Sequence, residues 1–422
     1  MNGRSLRVCL LTYRGNPRCG GQGVYMRHLS RELMALGHQV DVWSGQPYPE
    51  LVPGVGLTEI PSLDLWNDDD PFRIPTLGEL RDPINRLEYL RTMLGTFPEP
   101  LTFSQRVARL FRSNGFGAEY DIVHDNQCLG SGLLQLRTMI PLVATIHHPV
   151  TQDRAIALRS APNFYRRLGV RRWYSFLDMQ LAVARQMTRV MTVSQTSAEA
   201  LHAEYGVARD RIRNVGNGID LEVFRPLPEI ARDPSRLITT LSADSPLKGF
   251  VYLLEAMAEL RRTRPDLRLT VIGAPARKTD TASHVARLGL GDVVHFTGKV
   301  EEQAIPRAYA GSAVAVIPSL YEGFSFPAGE AMACGVPLVA TTAGALPEVV
   351  GRDGATGILV PPRSSASLAR ALGELLDAPE RRQAMGLAGR RRVQEQFSWR
   401  RAAERIVDVY REVLEERMAI AC

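Results

Sequence analysis

Two carboxylates, Glu322 and Glu330, bracket a Gly-Phe-Ser-Phe-Pro run in the stretch YEGFSFPAGEAMACG, residues 321–335. An apolar, strand-like segment, Val314-Ala-Val-Ile317, stands just before it. Strand, turn and helix N-terminus in that order make an anion-binding layout. The N–H groups of Gly323, Phe324, Ser325 and Phe326 can face a phosphate, and the helix dipole favours negative charge there. Glutamates beside an anion look misplaced until the ligand also carries hydroxyls. A sugar nucleotide carries them on both sides of its diphosphate, so Glu330 can accept from a ribose diol and Glu322 from the sugar. The same spacing also fits an ordinary helix start with acidic first turns.

Other residues could join this chemistry. Lysine occurs only at 248, 278 and 299. Lys248, in Leu247-Lys-Gly249, is a compact charge suited to a diphosphate, although a lysine at a helix start is often simply solvated. The turn Gly20-Gly-Gln-Gly23 precedes a helix and either approaches a ligand or makes a tight connection; it lacks the full dinucleotide fingerprint. His147 ends the strand Val143–Ile146, and His124-Asp125-Asn126 ends another, where it touches an acceptor or caps a loop. His147 and His148 do not pair on a metal, because neighbours on an extended chain point opposite ways. Asn67-Asp-Asp-Asp70 reads as a solvated turn before Pro71. Residues 164–174, FYRRLGVRRWY, read as a basic aromatic surface for an anionic membrane or, more simply, as a helix with core aromatics and solvated arginines.

The elements that must position these groups follow from periodicity. Leu6–Thr12 reads as a buried strand, followed by a glycine turn, a helix with Val24, Leu29, Leu33 and Leu36 on one face, and a strand at Gln39–Trp43. Strand patterns recur at Tyr120–His124, Pro141–His147 and Arg189–Ser194. After a loose segment around Asn217-Gly-Ile-Asp220 and Arg225-Pro-Leu-Pro-Glu, a second alternation begins. Its strands are Leu237–Leu241, Leu267–Gly273, Val293–Thr297, Ala313–Pro318 and Pro337–Thr341. Such alternation predicts two doubly wound, mostly parallel sheets, with ligands at the carboxyl ends of their strands. The expected division is 1–225, 226–396 and a terminal helix, 397–422, that returns to the first domain. Residues 46–118 are less regular and are expected to shape the acceptor side.

The composition fits a soluble α/β protein of 422 residues, with net charge +6 carried almost wholly by arginine. Five scattered cysteines give no disulfide or zinc spacing, and no apolar run is long enough to span a bilayer. A cytoplasmic protein is expected, with at most peripheral contact at the inner face of the membrane.

Taken together, several stretches resemble one family, the retaining nucleotide-sugar glycosyltransferases of family 4 with the GT-B fold. They are Phe296-Thr-Gly-Lys-Val300, Tyr309–Ser319, Glu322-Gly-Phe324, Glu330–Pro337, Pro347-Glu348 and Gly357–Pro361, with Gly20–Tyr25, Gly37-His38, Thr145-Ile-His147 and Asn217–Asp220 in the first half. The resemblance implies two Rossmann-like lobes facing across a cleft and transfer of a hexose from a nucleoside-diphosphate sugar, commonly UDP-linked, to an acceptor hydroxyl. The acceptor it implies is a sugar, lipid or polyol, for instance a cell-envelope glycolipid or polysaccharide; no cofactor, essential metal or nucleic acid is expected. Glu330 would bind the donor ribose. Glu322 would bind sugar hydroxyls, and the 323–326 backbone would surround sugar and diphosphate. Lys248 would neutralise the diphosphate, Lys299 and Val300 would line the donor, and His147 would lie beside the reacting sugar. One position departs from the family: Ala243 stands five residues before Lys248 where an arginine is usual, so either another arginine substitutes, the favoured reading, or activity is impaired. Two alternatives remain open, a sugar-nucleotide epimerase on the same fold and a non-catalytic sugar-nucleotide binder.

Overall fold

The computed structural model describes residues 4–16, 21–65, 67, 70, 73–113, 119–241, 245–275, 280–298, 300–301 and 303–421. Two compact units share the chain. The first comprises Met1–Val193, Ala198–Val215 and Ala402–Cys422, and the second Ser194–Ser197 with Gly216–Arg401. The division therefore falls at 215/216, before the expected 225/226, and the terminal stretch rejoins the first unit at Ala402.

The first unit holds a seven-stranded, wholly parallel sheet: β1 Arg7–Thr12, β2 Gln39–Ser44, β3 Gly56–Glu59, β4 Ile122–Asn126, β5 Leu142–Ile146, β6 Arg189–Thr192 and β7 Ile212–Asn214, in the order β3-β2-β1-β4-β5-β6-β7. Leu11 lies opposite Asp125 across β1 and β4, and Asn126 opposite Thr145 across β4 and β5. β4 and β5 are buried on both faces, as a parallel sheet covered by helices requires. Cys9, Leu11, Trp43, Phe111, Val123 and Ala144 share the core. Residues 46–113 are more ordered than their composition suggests. The helices Pro83–Met93 and Glu99–Ser113 are tied by Arg106 and Glu88, almost wholly buried and 2.7 Å apart. Leu63 N–H donates to the other Glu88 oxygen at 3.1 Å, so the buried carboxylate is bonded at both ends.

The second unit holds a six-stranded parallel sheet: β8 Asp233–Leu241, β9 Arg268–Gly273, β10 Val294–Phe296, β11 Ser312–Ile317, β12 Leu338–Thr341 and β13 Ile358–Val360, in the order β10-β9-β8-β11-β12-β13. Its core joins Leu237, Val271, Val314 and Val339 to the helix faces of Leu253, Met257 and Leu372. In each sheet the chain winds outward, then returns beside its first strand, at β4 next to β1 and at β11 next to β8. Ligands of such sheets bind outside the carboxyl ends of the strands at these reversals.

The helix Trp399–Ala421 buries Trp399, Ala403, Ile406, Tyr410 and Val413. From Ala402 onward it belongs to the first unit, where Arg189 and Arg213 both reach Glu412. Among the described residues no helix is long and apolar enough to cross a membrane.

Candidate active site

In the second unit the predicted donor residues converge where β11 leaves the sheet beside β8. Every residue of β11 is buried, so polar chemistry starts only past its end, at Ser319. Leu320 N–H donates to Leu247 O at 2.7 Å and lays this loop against the turn Pro246–Lys248. Gly249 has φ 59°, and a Cβ there would collide with the Pro318 carbonyl, so only glycine permits the approach. The result is a compact ionic pair. Lys248 Nζ donates to Glu322 Oε1 at 2.9 Å, and Ser319 Oγ donates to the same oxygen at 2.6 Å. The Glu322 main chain is fixed as well: its carbonyl accepts from Ala345 N–H at 2.9 Å, and Gly344 leaves it room that a Cβ would fill. Both side chains are only partly exposed, 22% for Lys248 and 13% for Glu322.

The helix Phe326–Ala333 follows from Ser325, whose φ of 84° and ψ of 81° place a non-glycine residue in left-handed conformation. That strain persists because its neighbours hold it: Phe324 is buried edge-on to Phe326 and Phe397, at 5.6 and 5.4 Å between ring centroids. Ser325 Oγ is buried and has no partner among the described residues, nor does it cap the helix it precedes. The first-turn N–H groups therefore have no side-chain acceptor at the cap position. Glu330 sits one turn on, beside Tyr309, whose ionisation is opposed first by burial and then by the Glu330 charge. Sequence therefore brings Glu322, Lys248 and the 323–326 backbone together. Val300 is half-buried in the segment after β10. Gly20, Asp68, Asp69, Ala243, Lys278 and Lys299 lie outside the described residues.

The first unit gathers a different set at the ends of β4 and β5. His147 Nε2 lies 2.6 Å from Asn126 Oδ1, and the His147 ring stands edge-on to Tyr25 with centroids 4.5 Å apart. Gln127, at φ 56°, turns its amide across the following strand end: Oε1 accepts from His147 N–H at 2.7 Å, and Nε2 donates to His148 O at 3.1 Å. Burial first and the neighbouring His148 second push the His147 pKa down to about 3. A neutral ring facing a carbonyl oxygen carries its proton on Nε2, which leaves Nδ1 as an acceptor.

His124 and Asp125 correct the expectation that this segment touches an acceptor. His124 is buried with both nitrogens engaged, Nδ1 with Tyr410 Oη and Nε2 with Thr145 Oγ1, each at 2.7 Å. Burial, then His147, lowers its pKa to about 3. Asp125 is fully buried; one oxygen accepts from Leu129 N–H at 2.8 Å, and burial raises its pKa to about 7. Of the three, only Asn126 reaches another predicted site residue. The glycine turn has a packing reason as well. Gly21 has φ 78° and starts the helix Gln22–Ala35, and a Cβ on Gly23 would collide with the carbonyls of Gly15 and Asn16. The arginine-rich helix Phe164–Trp173 is a correction too: it buries nothing, and Phe164 and Tyr165 are 70% and 82% exposed, so they are not core residues.

Two positions escaped the sequence reading. Gln127 orients His147, yet its role depends on a left-handed turn that no local pattern announces. Ser319 is bonded to Glu322, and its place immediately after β11 was the available signal.

Residues 228–392 match the model of the glycosyl transferases group 1 family, and residues 19–223 that of Glycosyltransferase Family 4. The chain is 47% identical over 411 residues to an MMP alpha-(1->4)-mannosyltransferase of Mycolicibacterium hassiacum, covering 97% of this chain and 98% of that one. It is 29% identical to a D-inositol 3-phosphate glycosyltransferase of Saccharomonospora viridis, over 97% and 93% of the two chains. Among solved structures, a sucrose-phosphate synthase of Thermosynechococcus elongatus superposes with TM-score 0.74 at 24% identity, over 98% and 100% of the chains. Anabaena HepE in complex with UDP-glucose superposes with TM-score 0.70 at 18% identity, over 96% and 100%.

Proposed function

This chain belongs to glycosyltransferase family 4, with the GT-B fold, and we propose that it moves a mannosyl group with retention from a nucleoside-diphosphate donor to the 4-hydroxyl of a saccharide acceptor. It is a glycosyltransferase, and its hexosyl chemistry follows from that membership. The choice of mannose, and of a 1→4 bond, rests on the activity that names the Mycolicibacterium relative, which is similar over nearly the whole chain.

The geometry that carries the mechanism is the Lys248–Glu322 pair at the end of β11. In the transfer, the bond from the anomeric carbon to the diphosphate breaks and a bond from that carbon to the acceptor oxygen forms on the same face. The acceptor proton passes to the departing phosphate. Charge grows on the leaving group, and Lys248, held in place by Glu322, meets it with a preset cation. The first turn of the helix from Phe326, which no side chain caps, adds a helix-end dipole of the same sense. Glu322 and Glu330 accept hydrogen bonds from hydroxyls of the sugar and the ribose, and neutral His147 offers Nδ1 to a sugar hydroxyl. Neither glutamate acts as acid or base. The exposed Phe164 and Tyr165, among Arg166, Arg167, Arg171 and Arg172, support a peripheral contact with anionic lipid.

Incubation of the protein with GDP- and UDP-linked mannose and glucose, each with and without an α-mannoside acceptor, tests the reading. Nucleoside diphosphate release that requires the acceptor, and a product with an α-(1→4) bond by NMR, is the expected result. An isomerised donor formed without acceptor, or no turnover with any donor, overturns it.

A further inference from the structure

At the far end of the helix Phe326–Ala333 from Ser325, the second unit contains an open cavity of about 340 Å³. Three arginines line it: Arg232, from the segment before β8, and Arg382 and Arg390, both on the helix Pro379–Gln396. The floor is bare backbone. Gly335 has φ 69°, and a Cβ on Gly386 would collide with its carbonyl oxygen, so the two segments meet with no side chain between them. Leu387, 63% exposed, stands at the rim.

What distinguishes the cluster is the absence of any counter-charge. Among the described residues no carboxylate lines the cavity, and none of the three guanidinium groups forms an ion pair. Each is instead anchored by one end to main-chain carbonyls. Arg390 Nη1 donates to Phe224 O at 2.8 Å and Ala333 O at 2.9 Å; Arg382 Nη1 donates to Leu375 O at 2.8 Å and to Leu376 O; Arg232 Nη2 donates to Gly335 O at 3.2 Å. Anchoring of this kind presets the cations while leaving further N–H donors on each planar fork. The like charges are close enough to act on one another: loss of hydration first, and the Arg382 charge second, lower the pKa of Arg232. Other arginines of the chain are paired with carboxylates, Arg106 with Glu88, Arg189 with Glu412 and Arg264 with Asp377. Three uncompensated cations around one concavity are electrostatically unfavourable unless an anion joins them.

We propose that this cavity is a second, non-catalytic binding site for a phosphate-bearing small molecule, its phosphate gripped by Arg232, Arg382 and Arg390. The volume exceeds what a bare phosphate fills and lies in the range of ligand pockets, so a sugar phosphate is the class that fits. The site is distinct from the Lys248–Glu322 pair, and the inference stands whichever sugar the enzyme transfers. It also adjoins the last turn of the helix carrying Glu330, because Arg390 holds the Ala333 carbonyl.

Calorimetric titration of the full chain with inorganic phosphate and with mannose 6-phosphate tests the proposal, each titration run with and without saturating nucleoside diphosphate. Binding of both, tighter for the sugar phosphate and not displaced by the nucleotide, is expected. Arg232→Ala should weaken it by roughly tenfold, the loss of one charge-assisted hydrogen bond. Leu387→Glu, which brings a carboxylate to the rim without touching an anchoring bond, should abolish it. Lys248→Ala should leave it unchanged. Displacement by the nucleotide, or loss of binding with Lys248→Ala, would place the phosphate at the donor site and overturn the proposal. So would undiminished affinity in Leu387→Glu protein that retains its unfolding temperature, or no binding of either phosphate.

Discussion

The two switch points of this molecule solve the same positioning problem with opposite electrostatics. At the end of β11 the second unit sets an ion pair, Lys248 and Glu322, partly open to water and fixed through the main chain on both sides. At the ends of β4 and β5 the first unit sets groups whose charged forms burial opposes: His124, bonded to Thr145 and Tyr410, His147, bonded to Asn126 and Gln127, and Asp125, bonded to Leu129. On the proposed function, the difference matches the partner each end would meet. A diphosphate whose charge grows in the transition state needs a cation already in place. Uncharged hydroxyls need directed acceptors, and a cation there would only bind the wrong thing.

The comparison breaks most readily at its charged side. Lys248→Ala removes the cation paired with Glu322 and should lower kcat by about 10²–10³-fold, with the unfolding temperature little changed; steady-state kinetics decides it. If the loss appeared in the acceptor KM instead, the division of labour would be wrong. Next in size, Gly23→Ala pushes a Cβ into the carbonyls of Gly15 and Asn16. It should destabilise the first unit by about 2 kcal/mol or more in chemical denaturation, a packing effect and not a loss of donor affinity.

The neutral side has a pH signature. His124 and His147, with pKa near 3 in the folded chain, stay unprotonated where the unfolded chain binds protons, so their contribution is full above about pH 6.5 and is lost as pH falls. Asp125, raised to about 7, works in the other direction: its contribution is full at acid pH and is lost as pH rises through 7. Between roughly pH 4 and 6.5 the three together leave a deficit of one proton, so acidification should cost about 1.4 kcal/mol per pH unit from these groups. Asp125→Asn removes the opposing member and should steepen that acid-side slope, read by denaturant titrations at several pH values. An unchanged slope would show that the first unit is not held neutral as described. The smallest effect concerns Ser325. Ser325→Gly relieves its left-handed strain and should stabilise the chain by about 1 kcal/mol; on the proposed function it should also weaken donor binding, through loss of the buried Oγ.

Much of this was legible in sequence because parallel strands buried on both faces read as uninterrupted apolar runs. β1, β5 and β11 are such runs, and the structure places all three within a residue of the expected bounds. β3 and β7 were not visible: at four and three residues, with half-buried or exposed side chains, they carry no hydrophobic signal and owe their existence to the neighbouring strand. The same contrast holds for the sites. Glu322 and Lys248 lie in local patterns, a strand–turn–helix start and a lone lysine before glycine. The arrangement around His147 depends on Gln127 reaching across from another strand end, and the burial of His124 depends on Tyr410 from the last helix. Neither contact has any trace in the spacing of its own segment. The exposed aromatics of Phe164–Trp173 failed for a related reason: an aromatic run reads as core unless the fold supplies nothing to cover it.

The central claim is that Glu322 and Glu330 hold the donor by its hydroxyls while the fold remains indifferent to their charge. Calorimetric titration of the turned-over nucleotide sugar into the Glu322→Gln, Glu330→Gln double variant tests it most directly. Donor affinity reduced by roughly a hundredfold, about 1.4 kcal/mol for each side chain, with the wild-type unfolding temperature retained, is the result the account predicts. Unreduced affinity in that variant would contradict it.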